Sequence, residues 1–209
     1  MADILEKFHQ QVLSEEDLLD EDVRYEVIDG IIYMMAPPAP SHQIIISEIS
    51  KQFSFYFTGK PCQAFIAPFE LNPTNLLVEL DDEKTIKGLK DKKEQKFEPD
   101  ITVICDPTKF EGGVYKGVPA LVVEVVSPST VSRDFGRKKE VYEKIGIKEY
   151  WIAIDHHNVY VCLLKNGKYE EKLYSVEKGS LTIPVTTFPD LQIVLDEAEI
   201  TKFASWYKA

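Results

Sequence analysis

The spacing of hydrophobic and polar positions changes several times along this chain, and each change predicts an element. Between Arg24 and Met35, apolar residues flank Asp29-Gly30, a pair suited to the positive φ angles of a tight turn, which predicts a β-hairpin. After the loop APPAPS the apolar residues fall at helical spacing: Ile45, Ile49, Phe53 and Tyr56, with Ile46 and Phe57 beside them. This predicts a helix capped by Ser41 and running to about Thr58. Strand patterns come next at Cys62 to Leu71, Asp100 to Cys105 and Ala120 to Ser127, then a helix over about Asp134 to Ile145. Strands at Glu149 to Ile154, Asn158 to Leu164 and Lys168 to Tyr174 form a late meander, with Asn166-Gly167 as a hairpin turn. Ser14 before EEDLLD predicts a short capped helix, and Asp196 with Glu199 opens a last one with Ile200, Phe203 and Tyr207 inward.

One stretch breaks the pattern. Residues 81–98, DDEKTIKGLKDKKEQKFE, hold six lysines and almost no apolar spacing, as expected of a mobile surface loop inserted in the domain. The 209 residues show no internal repeat and no linker, so residues 1–209 are expected to form a single domain. Its fold class is α/β: one mixed sheet with helices packed on it.

Composition narrows the classes. Two Trp, ten Tyr and eleven Phe among 44% hydrophobic residues exclude a disordered chain. No apolar run has membrane-spanning length, and MADILEKF lacks the basic start and apolar core of a signal peptide, so the expected location is the cytoplasm. Cys62, Cys105 and Cys162 are odd in number and lie in apolar runs. They read as buried thiols of a reducing compartment rather than a disulfide frame or a zinc site. The net charge of −11 argues against tight non-specific binding to nucleic acid, although a local basic patch remains compatible with it.

The chemistry centres on Glu124. It sits in LVVEVV with apolar neighbours on both sides, as in a strand buried on both faces, where a bare carboxylate is costly unless protonated, paired or metal-bound. Asp100 follows Pro99 at the head of the strand ITVIC; in isolation it reads as a strand-start residue. Together, two carboxylates on adjacent strands make a ready site for a hard cation such as Mg²⁺. On the following helix Phe135, Lys138, Tyr142 and Ile145 share a face, so Lys138 points inward while Lys139 falls on the solvent side with Glu143. A snorkelling lysine, or an i,i+4 pair with Asp134, explains the same pattern without a function. His156 and His157 fall at a turn and are expected to be exposed.

The segments GVPALVVEVVSPST and RDFGRKKEVYEKIGIKEYWIAID, with YEVIDGIIYMMAPPAPSHQ upstream and Pro99-Asp100 between, resemble the Uma-two family, putative restriction endonucleases of the PD-(D/E)XK nuclease superfamily. The resemblance covers about residues 14–200 and implies a restriction-endonuclease-like mixed β-sheet flanked by helices, with an N-terminal hairpin and a C-terminal meander. It implies metal ligation by Asp100, Glu124 and the carbonyl of Val125. The superfamily's lysine two places after the Glu is absent, since Val126 stands there; the family pattern matches Lys138 instead. Glu26 matches a recurrent family Glu and becomes a further acidic candidate, against a solvated strand Glu. His42 matches a family His at a helix start and becomes a substrate or metal contact, against a packing residue; the helix N-terminus favours its neutral form. Arg133, Arg137 and Lys139 are candidate phosphate contacts, as are the loop lysines, against ordinary solvated side chains.

These readings converge on a Mg²⁺- or Mn²⁺-dependent endonuclease that hydrolyses DNA phosphodiester bonds, with Asp100, Glu124, Lys138 and Glu26 as its catalytic set. The alternative is a catalytically inactive nuclease fold that binds nucleic acid or a protein partner, which the acidic balance and the displaced lysine favour. A homodimer would suit cutting of both strands.

Overall fold

A computed structural model of the chain describes residues 24–80 and 94–202. The helix expected after Ser14, residues 81–93 of the lysine-rich insert, and Phe203 and Tyr207 lie outside the described residues. The hairpin is β1 (Tyr25–Ile28) and β2 (Ile31–Met34), paired antiparallel. Asp29 and Gly30 take φ angles of 55° and 76° at its turn, the pair of left-handed conformations that a two-residue hairpin loop demands. Helix α1 (Pro40–Phe57) comes next, starting two residues earlier than a helix capped by Ser41 would. Pro40 opens it because a proline at the first helical position forfeits no intrahelical hydrogen bond. Ala39, not Ser41, is therefore the N-cap, and it offers no side-chain cap.

Beyond α1 run β3 (Gln63–Ile66), helix α2 (Thr74–Leu80), β4 (Ile101–Ile104), a short hairpin of β5 (Phe110–Glu111) and β6 (Val114–Tyr115), and β7 (Leu121–Val125). The strand expected over Cys62–Leu71 thus closes at Ile66, and Leu71 instead bridges Phe97 and Tyr115. Helix α3 (Val131–Arg133), a π-helical turn (Asp134–Lys138) and α4 (Lys139–Ile145) then lead into β8 (Glu149–Ala153), β9 (Asn158–Lys165) and β10 (Lys168–Ser175). A hairpin of β11 (Leu181–Pro184) and β12 (Gln192–Leu195) precedes α5 (Glu197–Thr201), capped by Asp196 accepting from the Glu199 N–H.

Six strands form the central sheet in the order β10-β9-β8-β7-β4-β3. All its pairs are antiparallel except β7 with β8, which are parallel and joined by α3, the π-turn and α4. Alternation divides its side chains between two cores. On one face Val103, Val123 and Trp151 meet Ile45, Ile49 and Phe53 of α1 and Ile183 and Ile193 of the last hairpin. On the other Val122, Tyr150 and Ile152 meet Val141, Tyr142 and Ile145 of α4. Each such large apolar side chain contributes about 1.5–3 kcal/mol when fully buried.

Two expectations are corrected here. Cys62 and Cys105 are not buried thiols: they form a disulfide with Cα atoms 4.1 Å apart. Gln63 pairs with Ile104 across β3 and β4, so the next pair outward places the two cysteines opposite each other. Cys162 alone is a free, buried thiol, with its pKa pushed up to about 12 by burial. The end of the insert is also structured: Lys96 bridges Val27, Phe97 bridges Leu71, and Gln95, Phe97 and Glu98 are buried. Lys96 lies over the Tyr25 ring at 3.8 Å, so this lysine packs rather than extending from a loose loop.

Candidate active site

The register of β4 and β7 builds the site. Thr102 faces Val122 and Ile101 faces Val123, and continuing that antiparallel pairing sets Asp100 against Glu124 on the sheet face that carries α4. The two strands are tied there, since Asp100 Oδ2 accepts the Val125 N–H at 2.7 Å. Glu124 is buried because apolar residues on both sides extend β7 through the sheet centre.

Lys138 reaches this point from the helical crossover. Gly136 departs from helical geometry (φ −102°, ψ −105°), and a π-helical turn spans Asp134–Lys138. Such turns insert one residue and re-aim the side chains after it, a feature common at functional sites. Lys138 is 3% exposed, and its Nζ lies 2.8 Å from Glu26 Oε1, 3.0 Å from Glu124 Oε1 and 3.3 Å from Asp134 Oδ1. One ammonium thus stands among three carboxylates. Tyr142 Oη donates to Glu124 Oε1 at 3.2 Å, and Tyr150 Oη donates to the Asp134 carbonyl at 3.0 Å.

The hairpin closes the cluster on another side. Glu26 Oε1 also accepts the Glu98 N–H at 3.0 Å, and Glu98 accepts from Arg24 Nε and Nη2 at 3.0 and 2.9 Å. His42, in the first turn of α1, places Nε2 3.3 Å from Asp100 Oδ2.

Negative charge outweighs positive in this cluster, and the electrostatics reflect it. Burial first, then the carboxylates of Asp134, Asp100 and Glu26, hold the Glu124 pKa well above the ordinary carboxylate range, against the pull of Lys138. Asp134 is raised chiefly by burial. For Lys138, burial opposes the charge, but Glu124, Glu26 and Asp134 overcome it and raise the pKa. Burial likewise opposes protonation of His42, yet the hydrogen bond and charge of Asp100, with the Val125 backbone, raise its pKa. The neutral imidazole expected from the helix N-terminus alone therefore gives way to one biased toward protonation by Asp100.

These side chains line a cleft of about 840 Å³, walled also by Tyr33 and Arg133. Arg133 lies 4.8 Å over the Tyr33 ring, and its Nε has no hydrogen-bond partner among the described residues. Arg137 is absent from that lining. Its guanidinium is held by Asp29 at the hairpin turn (Nη2 to Oδ1 2.8 Å) and by Glu140 (2.9 Å). Lys139 lies on the outer side of the helix, paired with Glu171.

Of the residues singled out in the sequence, the cleft gathers Asp100, Glu124, Val125, Lys138, Glu26, His42 and Arg133, and leaves out Arg137. Glu98 was missed, because its place at the end of a lysine-rich run hid it. Asp134 was visible only as an i,i+4 partner. His156 and His157 are half-buried rather than exposed, with His156 on the cleft wall.

Oxygens of Glu26, Glu124 and Asp134 converge on Lys138 Nζ, which occupies the point they share, and Asp100 meets the N–H of Val125 rather than its carbonyl. Carboxylate oxygens are the donors a hard divalent cation takes, and Asp100 with Glu124 is the pair in this cleft that could hold one.

Comparisons with known proteins agree with this architecture. A Synechocystis protein, "Uncharacterized protein slr1290", is 26% identical over 155 residues, spanning 72% of this chain and 73% of its own length. The crystal structure of "a putative nuclease belonging to DUF820" from Anabaena variabilis matches with a TM-score of 0.62 at 16% identity, covering 91% of this chain and 98% of that one. At that identity the likeness speaks to the fold, which is the fold the resemblance in the sequence implied. A family model described as "Putative restriction endonuclease" matches residues 5–196, and with nearly the whole chain covered, this protein belongs to the Uma2 family.

Proposed function

We propose that this protein is a divalent-metal-dependent endonuclease that hydrolyses DNA phosphodiester bonds, with Mg²⁺ or Mn²⁺ held by Asp100, Glu124 and the Val125 carbonyl. The observation that carries this reading is the meeting of Asp100 and Glu124 on one sheet face beside a buried lysine, in a cleft of about 840 Å³. When bound, the cation supplies an activated water and neutralises charge on the scissile phosphate. Lys138, steadied by Glu26 and Asp134, offsets the charge that develops on the phosphate and orients the attacking water. Asp100 is oriented by the Val125 N–H and by His42. Arg133 lines the cleft wall, where its guanidinium would meet a backbone phosphate.

Two observations favour the alternative of a non-cleaving binding protein: the net charge of −11, and the closed ion-pair cage around Lys138. A single assay separates the readings. Purified protein with Mg²⁺ or Mn²⁺ should nick or cut plasmid DNA, EDTA should stop it, and Asp100→Ala and Glu124→Ala should be inactive. Equal trace cleavage by wild type and Glu124→Ala would identify a contaminant and leave the binding reading in its place.

A further inference from the structure

A second group of donors lies apart from the acidic cluster, where the β8–β9 turn meets the start of α5. Asp155 organises that turn: its Oδ1 accepts the His157 N–H at 2.8 Å and the Asn158 side-chain amide at 3.1 Å. Glu197 is anchored by Oε2, which accepts the Gly179 N–H at 2.6 Å, while its Oε1 lies 3.7 Å from His157 Nε2. His156 and His157 stand with ring centroids 4.0 Å apart. One ligand atom from each of His156, His157 and Glu197 lies within 4.8 Å of the other two.

The histidine nitrogens are the unusual feature. Nε2 of His156 and Nε2 of His157 are both shielded from solvent, and neither has a hydrogen-bond partner among the described residues. A buried polar atom left unsatisfied is costly, and two such atoms next to a carboxylate call for a shared partner. A water or a metal ion can serve, but two imidazoles with one carboxylate are a borderline-soft set. That set suits Zn²⁺ and its neighbours in the transition series, and suits Mg²⁺ poorly.

We propose that His156, His157 and Glu197 form a binding site for Zn²⁺ or a closely similar divalent transition metal, distinct from the Asp100–Glu124 site. Outer contacts of the kind that orient metal ligands are in place: Asp155 fixes the turn and Gly179 fixes Glu197. Three protein ligands leave a coordination position for water or a phosphate oxygen. His156 also lines the cleft, so an ion here stands at its wall rather than on a remote surface.

The test uses the full chain, freed of metal with EDTA and titrated with Zn²⁺ by calorimetry in excess Mg²⁺, which occupies oxygen-only sites. Co²⁺ is added in parallel for its visible absorption. The expected result is one Zn²⁺ equivalent in wild type, retained in Glu124→Gln and weakened at least about tenfold in His157→Gln and in Glu197→Gln. The Co²⁺ band should intensify on binding to wild type and be lost in the same two variants. Metal-free melting curves check that the variants fold, and Glu197→Gln, at a partly exposed position, keeps the test decisive if the histidine variant does not. Absence of a Zn²⁺ equivalent in wild type, unchanged affinity in both variants, or loss in Glu124→Gln would overturn the proposal.

Discussion

Two glutamates are buried in neighbouring strands of the same sheet, and they are satisfied in opposite ways. Glu149, at the start of β8, lies on the α1 face and is fully buried. Its carboxylate accepts from Trp151 Nε1 at 2.8 Å and from the N–H groups of Thr186 and Thr187 at 3.2 and 2.6 Å. Neutral donors, fixed by the backbone, surround a single negative charge. Glu124, on the opposite face of β7, shares one lysine with two other carboxylates and adjoins a fourth in Asp100. Burial alone therefore does not mark a functional acid. The first carboxylate is complete within the fold, whereas the second belongs to a group in which three carboxylates share one ammonium, a crowding that raises the pKa of Glu124.

The largest effects that separate the two concern activity. If the protein is a metal-dependent nuclease, Asp100→Ala and Glu124→Ala should abolish DNA cleavage. Lys138→Ala should lower its rate by about 10²-fold or more, on the scale of losing one charge-stabilising donor. Lys139→Ala, on the outer side of the helix, should change it little. Initial rates on supercoiled plasmid measure this, and cleavage that survives Glu124→Ala breaks the distinction.

Stability should divide the pair the other way. Glu149→Ala strands the buried Trp151 Nε1 and two part-buried backbone N–H groups, so it should destabilise the fold by about 2 kcal/mol or more in denaturant unfolding. Glu124→Gln leaves Lys138 paired with Glu26 and Asp134, so its cost in the metal-free protein should stay within about 1 kcal/mol. Equal losses would mean that both glutamates are structural.

Divalent ions should sharpen the contrast further. Mg²⁺ at about ten times its Kd should stabilise wild type by about 1.4 kcal/mol through selective binding to the native state. Glu149→Ala should keep that increment and Glu124→Gln should lose it, as read from thermal melts with and without millimolar Mg²⁺.

The smallest expected effect is on pH. The fold raises the pKa of Glu124 and Asp134, so the native state binds more protons than the unfolded chain between the two values. Metal-free stability should therefore rise as pH falls from neutrality toward the unfolded carboxylate pKa of about 4. His42 acts in the same direction: its raised pKa gives stability that is present below about pH 6.5 and is lost as pH rises through the folded value. Glu124→Gln should flatten this slope and Glu149→Ala should not, in melts taken between about pH 5 and 8.

Local chemistry made much of this legible in the chain alone. Asp29-Gly30 and Asn166-Gly167 mark their hairpins because few other residues accept those φ angles cheaply. Helix α1 and the β8–β10 meander arise from apolar periodicity, and the same periodicity turned Lys138 inward. Glu124 stood out because a charge within an unbroken apolar strand has no local explanation. Position relative to distant segments was not legible. The Cys62–Cys105 disulfide depends on the register of β3 against β4, which alternation within one strand cannot set. The β11–β12 hairpin went unread although its buried positions alternate, at Leu181 and Ile183 and at Ile193 and Leu195. The balance of charge decided the most. Whether Arg137 faces a phosphate or Asp29, whether His42 is neutral or drawn toward protonation by Asp100, and whether a buried glutamate meets neutral donors or a lysine shared with other carboxylates are set by residues elsewhere in the chain. Coulombic and hydrogen-bond energies depend on distance in space, and only the tertiary structure supplies those distances.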